Sequence, residues 1–268
     1  MKKRLDELLV ERGFFPSQNR AKAEILEGNV FVDGQLVDKA GKKVREDVEI
    51  RLKKKSPYVS RGAYKLLKAI EEFKIDLKDK ICGDFGASTG GFSQVMLEKG
   101  AKKVYAVDVG YGQLSWKLRK DPRVVVMEKT NVRFLRRGDF KDEMDFISCD
   151  LSFISLKLIL PVVKNIIAKS GESVCLVKPQ FEAGRENLKK GVVRSKEVHL
   201  HVLSDVMNFA REVGFDVKGL TFSPIKGPAG NIEFLLHLTS KEENKKESEK
   251  IFDPAEVVNL AWKELLEG

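Results

Sequence analysis

Cysteine is scarce in this sequence, and long apolar runs are missing from it. The three cysteines, Cys82, Cys149 and Cys175, are an odd number, far apart, and each stands beside apolar residues. Because no CxxC pair or Cys/His cluster occurs, neither a disulfide framework nor a structural zinc site is indicated, and we predict no bound metal. No stretch approaches the ~20 apolar residues that span a bilayer. The start, Met1 to Glu7, lacks the apolar core of a signal peptide, so we expect a cytoplasmic protein without a membrane partner.

Positive charge is concentrated at the start of the chain. The 268 residues include 49 Lys and Arg and 40 Asp and Glu, a formal net charge of +9. Residues 1–68 hold 17 basic and 10 acidic side chains, a net of +7, and the other 200 residues hold a net of only +2. A basic block beside a near-neutral domain is typical of a nucleic-acid-binding appendage, although a solvated basic surface would give the same count.

The basic block predicts two helices followed by a hairpin. Leu5, Leu8 and Leu9 share one helical face, and Ser17 is placed to cap a second helix that Gly28 ends. The residues after Gly28 predict a strand at 30–32, a hairpin turn at 33–34 and a closing strand at 48–52. Together they predict a small α+β domain over residues 1–55.

This block resembles the S4-type RNA-binding domain, whose basic helices grip structured RNA through phosphate contacts and shape. The resemblance is carried by Arg4-Leu5-Asp6, Ser17, Arg20, Ala23, Gly28 and Val30-Phe31-Val32-Asp33-Gly34. We expect basic side chains to decorate the two helices and to bind RNA. The predicted RNA-binding residues are Lys2, Lys3, Arg4, Arg12, Arg20 and Lys22, together with Arg61.

The rest of the chain predicts an α/β domain and a tail. Residues 56–60 form a linker, since a lysine run ends at Pro57, which breaks the strand pattern. Between 61 and 240, helical and apolar strand-like stretches alternate, which predicts a doubly wound, Rossmann-like sheet of about seven strands. Its last strand is expected to be antiparallel, because only a short turn joins it to the strand before. The predicted helices are 64–73, 92–99, 156–168 and 198–213, and the predicted strands are 81–85, 103–108, 124–127, 146–149, 173–177, 215–222 and 232–238. In the tail, 241–268, a charged stretch precedes a short amphipathic helix that starts at Asp253-Pro254 and bears Val257, Leu260, Ala261, Leu265 and Leu266.

A glycine-rich loop follows the first strand of this domain and precedes a helix. It reads Asp84-Phe85-Gly86-Ala87-Ser88-Thr89-Gly90-Gly91-Phe92. Dinucleotide enzymes also use such a loop, but their G-x-G-x-x-G fingerprint requires a second early glycine that is missing here. An acid two residues before the first glycine is instead the pattern of S-adenosylmethionine-dependent methyltransferases, and Asp84 can meet the cationic ammonium of that ligand. We predict that Asp84 and residues 86–92 bind this methyl donor.

Two further residues fit a nucleoside-type cofactor. Asp108 ends the second strand about twenty residues beyond the loop, where an acid can accept hydrogen bonds from both ribose hydroxyls. Asn131 follows the third strand and is placed near the adenine, although an ordinary surface loop explains it nearly as well.

The end of the fourth strand distinguishes among methyl-transfer chemistries. Methylation of exocyclic base nitrogens commonly uses an Asp/Asn-Pro-Pro-aromatic turn there, and this chain has Asp150-Leu151-Ser152-Phe153 without prolines. Carbon-5 methylation of pyrimidines needs a nucleophilic cysteine, whereas Cys149 and Cys175 lie within apolar strands. Neither of these two reactions is supported.

Four charged residues stand where elements of the domain begin or end. Lys65 precedes the glycine loop, Asp150 ends the fourth strand, Lys178 ends the fifth, and Glu233 begins the last. Strand ends at one edge of a doubly wound sheet converge where ligands bind, so these four can meet beside the methyl group, with Asp150 also touching the donor. Each of them alone is better explained as a surface or salt-bridged charge, but their joint placement favours catalysis.

The order Lys-Asp-Lys-Glu resembles the FtsJ-like ribose 2′-O-methyltransferases. With the S4-type block, the chain resembles the TlyA (hemolysin A) family of ribosomal-RNA methyltransferases over residues 1 to about 239. The motifs are Ser60-Arg61-Gly62, the glycine loop, Cys149-Asp150-Leu151-Ser152-Phe153-Ile154-Ser155, Val177-Lys178-Pro179-Gln180-Phe181-Glu182 and Ser223-Pro224 with Gly227-Pro228 and Gly230-Asn231-Ile232-Glu233. Ala63 departs from the family, which often has a second glycine there, and the tail after Ser240 matches no motif. The resemblance implies S-adenosylmethionine as cofactor, ribosomal RNA or ribosomal subunits as partner, and cytidines of the small- and large-subunit rRNA as targets.

Lys178 is assigned the central role. A ribose hydroxyl is a poor nucleophile, so the enzyme must align it with the methyl group and remove a proton. Near Lys65 and a sulfonium, the Lys178 ammonium should be easier to deprotonate, and the residue then acts as base or orients the hydroxyl lone pair. Asp150 and Glu233 would position the lysines and limit that effect.

Two other functions compete with this reading. One is an RNA-binding or ribosome-assembly factor with a degenerate enzyme domain, against which the intact loop and the four charged residues argue. The other is the membrane damage that the name hemolysin implies, against which the missing export signal and barrel-strand pattern argue.

Overall fold

The chain forms two compact units, Met1–Pro57 and Tyr58–Gly268, in a computed structural model that describes residues 2–53, 56–241 and 252–266. The boundary at Pro57 lies inside the stretch predicted as a linker. Each unit has its own buried apolar core. None of the helices in these described ranges combines the length and hydropathy that crossing a bilayer requires.

The described residues of the first unit form two helices and two small antiparallel sheets. Its elements are β1 (Lys2–Arg4), α1 (Leu5–Glu11), α2 (Gln18–Leu26), β2 (Val30–Val32), β3 (Gln35–Leu36), β4 (Lys43–Arg45) and β5 (Ile50–Leu52). β1 pairs with β4, and β2 pairs with both β3 and β5. Leu5, Leu8 and Leu9 of α1 are buried, as the predicted apolar face requires, and Ile25 of α2 is buried with them. Ser17 caps α2 as predicted, accepting a hydrogen bond from the Arg20 N–H.

The prediction that Lys2, Lys3, Arg4 and Arg12 decorate the two helices is wrong, whereas Arg20 and Lys22 lie on α2 as predicted. Lys2, Lys3 and Arg4 form β1, opposite Arg45, Val44 and Lys43, and α1 begins only where the apolar periodicity begins. Arg12 follows the last residue of α1 as its C-cap. The cause is a pairing of two short charged strands about forty residues apart, which leaves no local pattern in the sequence.

The second unit is a seven-stranded sheet with helices. Its main strands are β6 (Ile81–Phe85), β7 (Lys103–Val107), β8 (Val124–Met127), β9 (Met144–Cys149), β10 (Ile167–Val177), β13 (Phe215–Phe222) and β14 (Phe234–Ser240), and β11 (Leu188–Lys189) and β12 (Val192–Val193) form a separate hairpin. Its helices are α3 (Ala63–Phe73), α4 (Gly91–Glu98), α5 (Trp116–Arg119), α6 (Leu160–Ile166), α7 (Pro179–Glu182), α8 (Lys196–Glu212) and α9 (Pro254–Leu266).

The strand order confirms the predicted doubly wound sheet. It is β13-β14-β10-β9-β6-β7-β8, so the chain starts in the middle at β6, runs outward to β8, and then returns to β9 and β10 on the other side. Pairs among β6 to β10 are parallel, and β14 is antiparallel to both of its neighbours, as predicted. The point where the order reverses, between β6 and β9, is where such sheets bind ligands.

Three details differ from the sequence predictions. The predicted helix 156–168 is a 3-10 turn (Leu156–Leu158) followed by α6, and its last two residues already belong to β10, where Ile167 pairs with Met144. Glu233 precedes the last strand instead of beginning it. The tail helix is present as α9, but Val258 and Ala261 are its buried residues, whereas Leu260 and Leu266 are about half exposed. Most of the predicted charged stretch lies outside the described residues.

Candidate active site

The glycine loop turns tightly between β6 and α4. Gly86 and Gly90 have φ angles of +90° and +95°, which side chains rarely adopt. The N–H groups of Gly86 and Ala87 both donate to the Val107 carbonyl, which ties the loop to β7. A β-carbon at Gly86 would clash with the Asp150 carbonyl, and one at Gly90 would clash with Leu118. The loop therefore leaves a backbone-lined hollow at the switch point of the sheet.

Asp84 lies at the base of this hollow and is fully buried. Its Oδ2 accepts hydrogen bonds from the Ser93 N–H at 2.8 Å and the Ser93 hydroxyl at 2.6 Å, in the first turn of α4. Burial raises the pKa of Asp84 to about 6, against the opposing effect of these hydrogen bonds. The carboxylate is thus fixed in place, and its negative charge is available above that pH.

Asp108 and Asn131 line the second half of the hollow. The Asp108 carboxylate accepts from the Ser88 N–H at 2.8 Å and from the Gly110 N–H at 2.7 Å, which fixes its orientation. Asn131 is exposed, and its Oδ1 accepts from the Arg133 N–H. Both residues line a cavity of about 490 Å³ together with Val109, Gln113 and Leu151.

A second cavity of about 420 Å³ joins the first one. The two share Gly86, Ser88, Asp150 and Ser152 in their linings. The second cavity also contains Lys65, Asp84 and Lys178. The two cavities therefore form one continuous hollow. Asp108 and Asn131 line one side of it, and a row of charged side chains lines the other.

The four predicted charged residues are brought together in this row. Lys65 Nζ lies 2.7 Å from Glu233 Oε2 and 3.4 Å from Asp150 Oδ2. Lys178 Nζ lies 2.6 Å from Asp150 Oδ1 and donates to the Ser152 hydroxyl at 3.1 Å. Asp150 therefore bridges the two lysines, and the linked order is Glu233, Lys65, Asp150, Lys178 and Ser152.

The sheet topology explains how residues so far apart in the sequence meet. Asp150 and Lys178 directly follow the neighbouring parallel strands β9 and β10. Because β14 is antiparallel to β10, with Val177 opposite Phe234, its start lies beside the end of β10 and brings Glu233 to the same edge. Lys65 reaches this edge from the first turn of α3.

The two lysines and Glu233 of the row are largely shielded from water. Lys65 and Lys178 are 7% and 6% exposed, and Glu233 is fully buried. Burial alone lowers the pKa of Lys65, but the charges of Asp150 and Glu233 outweigh it, so the pKa is raised above its ordinary 10.5. Glu233 Oε1 has no hydrogen-bond partner among the described residues and lies against Gly227. The buried charges thus compensate one another, and one acceptor oxygen remains available.

Several lining residues were missed by the sequence predictions. They are Ser60, Gly62, Ser152, Phe153, Gln113 and Lys226. Ser60, Gly62, Ser152 and Phe153 stand within the motifs that carry the family resemblance, which is the signal that could have identified them. Phe153 is unusual because its side chain is 90% exposed and its φ is +62°. Gln113 and Lys226 lie in loops with no local pattern.

The predicted RNA-binding residues of the first unit have varied surroundings. Lys3 pairs with Glu11, Arg4 with Asp6 and Arg20 with Glu24. Lys22 is farther from its partner, at 3.9 Å from Asp6. Arg12 donates to the carbonyls of Val48 and Glu46, so it joins α1 to the segment before β5. Arg61 belongs to the second unit, is exposed, and lines the cavity that holds Lys65.

The cysteines have no place in this site. Cys82, Cys149 and Cys175 are buried free thiols. Burial raises the pKa of Cys82 to about 12, which disfavours the nucleophilic thiolate. Among residues 2–53, 56–241 and 252–266, no cluster of His, Cys, Asp and Glu has the composition of a metal site.

The strand order of the sheet, the glycine loop and the oriented carboxylates of Asp84 and Asp108 define a Rossmann-like methyltransferase. An S4-type domain precedes it in the chain. The FtsJ-like methyltransferase family model matches residues 58–240, and the S4 domain model matches residues 3–50. The chain belongs to the FtsJ-like methyltransferases and, among them, to the TlyA (hemolysin A) family, which confirms the resemblance seen in the sequence.

Its relatives match both units. A Bacillus subtilis protein named YqxC is 52% identical over 240 residues, covering 88% of this chain and 85% of that one. The 16S/23S rRNA (cytidine-2′-O)-methyltransferase TlyA of Mycobacterium tuberculosis is 41% identical over 241 residues, covering 89% of this chain and 90% of that one. A solved structure from Streptococcus thermophilus, whose description carries the name hemolysin, is 47% identical with a TM-score of 0.78, covering 99% and 98%.

Proposed function

We propose that this enzyme transfers a methyl group from S-adenosylmethionine to a ribose 2′-hydroxyl of ribosomal RNA. The observation that carries the proposal is the linked row of Glu233, Lys65, Asp150, Lys178 and Ser152 beside the glycine-loop hollow. Such a row supplies buried positive and negative groups for aligning a hydroxyl, and it contains no cysteine thiol.

The residues around the hollow support S-adenosylmethionine as the methyl donor. Asp84 and the backbone of residues 86–92 would hold its amino-acid part, and Asp108 its ribose hydroxyls. Asn131 would lie at the adenine side. The fit rests on the two positive-φ glycines, which keep the hollow free of side chains, and on the fixed carboxylates at its ends.

The residues of the row divide the chemistry among them. When bound, S-adenosylmethionine supplies a methyl group already activated on a sulfonium, so the transfer breaks a C–S bond and forms a C–O bond. Lys178 contacts the reacting hydroxyl. As an amine it takes the hydroxyl proton when the C–O bond forms, and as an ammonium it orients the hydroxyl lone pair while the proton leaves to water. Asp150 holds Lys178 at 2.6 Å, and Lys65 with Glu233 fixes Asp150.

The RNA is proposed to bind through the first unit and the rim of the active site. Lys22 and Arg20 on α2 and Arg61 at the cavity are the basic candidates. Phosphate contacts of this kind position RNA without reading its sequence. The relatives that carry a full activity name support cytidine in ribosomal RNA as the target nucleotide.

Methylation of isolated ribosomal subunits tests the proposal. Purified protein is incubated with donor labelled in its methyl group and with small or large subunits from cells that lack this gene. We expect label in the rRNA of at least one subunit. Subunit binding without label would favour the competing RNA-binding or assembly factor. If the protein neither bound nor labelled the subunits, both functions would be refuted.

A further inference from the structure

Two segments leave neighbouring strands at the active-site edge and run side by side. β9 and β10 are parallel, with Cys149 opposite Cys175, so residues 150–156 and 178–182 emerge next to each other. Lys178 contacts Asp150 and Ser152 at the near end of this pair. Farther along, the rings of Phe153 and Phe181 lie 5.1 Å apart. Residues 150–156 are called the 150–156 loop below.

Glu182 fastens the far end of the 150–156 loop. Its Oε2 accepts a hydrogen bond from the Ser155 hydroxyl at 2.6 Å, and its Oε1 accepts one from the Leu156 N–H at 2.8 Å. Both oxygens therefore serve the same loop, with hydrogen bonds that the carboxylate charge strengthens. Ser155 in turn accepts from the Lys157 N–H and so caps the 3-10 turn Leu156–Leu158, which begins at the last residue of the loop.

The shape of the loop requires an anchor. Phe153 has a φ of +62°, a strained conformation for a bulky residue, and its side chain is 90% exposed, so its burial does not offset the strain. A conformation of this kind persists only where its surroundings hold it. Asp150 and Ser152 stand just before Phe153. If the loop relaxed, both would move with respect to Lys178.

We propose that Glu182 is a positioning residue of the methyl transfer, which holds the 150–156 loop so that Asp150 and Ser152 stay in contact with Lys178. The inference rests on the proposed function of Lys178. Glu182 lines neither half of the active-site hollow, so its effect passes through the loop and not through contact with donor or RNA.

Kinetics of two Glu182 variants test this role. Glu182→Ala should lower kcat for subunit methylation by about 10²-fold, because a displacement of about 1 Å among reacting groups costs that much. Its KM for S-adenosylmethionine should change less than about threefold. Glu182→Gln should stay within about fivefold of wild-type kcat, since its amide oxygen can accept from Leu156 and its NH₂ can donate to Ser155. Glu186→Ala, at an exposed glutamate four residues on, is the matched control and should leave kcat unchanged.

Each other outcome counts against the role. A folded Glu182→Ala variant with wild-type kcat, a Gln variant as slow as the Ala variant, or a loss found only in the donor KM would overturn it. If the Ala variant does not fold, Ser155→Ala removes one of the two contacts and should lower kcat about tenfold, and unchanged kcat there would also overturn the role. Wild-type protein that methylates no subunit refutes the proposed function itself, whereas active wild type with an unaffected Glu182→Ala refutes only the positioning role.

Discussion

The carbonyl oxygen of Asp150 occupies the space that a β-carbon on Gly86 would need. Gly86, which follows β6, and Asp150, which follows the neighbouring strand β9, therefore pack closely against each other. Through this contact, the position of the donor loop and the position of the charged row depend on one another.

Replacement of Gly86 by alanine should damage the hollow. Gly86→Ala combines a φ of +90° with the clash against Asp150, so we expect donor affinity to fall by about tenfold or more. Gly112→Ala is the matched control, because Gly112 also has a positive φ, of +70°, but a β-carbon there meets nothing within 4 Å. Titration calorimetry with S-adenosylmethionine measures both, and equal losses would contradict the role of the Gly86–Asp150 contact.

Donor binding should depend on pH through Asp84. Burial raises the pKa of Asp84 to about 6, so below that pH the group is neutral and cannot attract the donor ammonium. We expect the Kd for S-adenosylmethionine to rise as pH falls through about 6. Asp84→Asn should bind more weakly at neutral pH and lose this dependence, and a wild-type Kd that stays constant from pH 7 to 5 would contradict the assignment.

Stability should fall in acid because of His199. His199 is buried, accepts a hydrogen bond from the Trp262 N–H of α9, and burial lowers its pKa from 6.5 to about 4. Between these values the unfolded chain binds a proton that the native protein does not, so the free energy of unfolding decreases as pH falls. The loss should be on the order of 3 kcal/mol over this range. Urea unfolding from pH 7 to 4 measures this loss, with His199→Gln as comparison. If the free energy of unfolding fell equally with pH in both proteins, His199 would not be its cause.

Arg12 and Lys22 should behave differently although both were predicted to bind RNA. Arg12→Ala removes hydrogen bonds to two backbone carbonyls and should destabilise the first unit by about 1–3 kcal/mol. Lys22→Ala should leave thermal unfolding unchanged. It should reduce the slope of the logarithm of RNA affinity against the logarithm of salt concentration by about one. Melting curves and RNA titrations at several salt concentrations separate the two effects, and identical behaviour would show that the structural distinction is wrong.

The parts of the fold that the sequence predicts best are those set by local pattern. β6, β8 and β13 agree residue for residue with their predictions, because each has a local strand-like pattern that is bounded by charged residues or turns. β1 and β4 were missed, since their stability comes from pairing with each other at long range. The sequence predicts helix at the start of β10, because Ile167 continues the apolar pattern of α6, and only its pairing with Met144 makes it a strand.

The same division holds for the site. The glycine loop and the acids Asp84 and Asp108 follow one another locally, so their positions could be inferred from spacing. Lys65, Asp150, Lys178 and Glu233 could be grouped only through the topology and the family resemblance. The roles of Ser152 and Glu182 depend on which strand ends are neighbours, and the sequence alone does not specify those contacts.

The most direct measurement of the central claim is nucleoside mass spectrometry of rRNA after incubation of undermethylated subunits with donor and protein. We expect wild type and Lys169→Ala, an exposed-lysine control, to produce a cytidine methylated on its ribose, and Lys178→Ala to be slower by about 10²–10⁴-fold while still binding the donor. A methyl group on the base instead of the ribose, or normal turnover by a folded Lys178→Ala variant, would contradict the account.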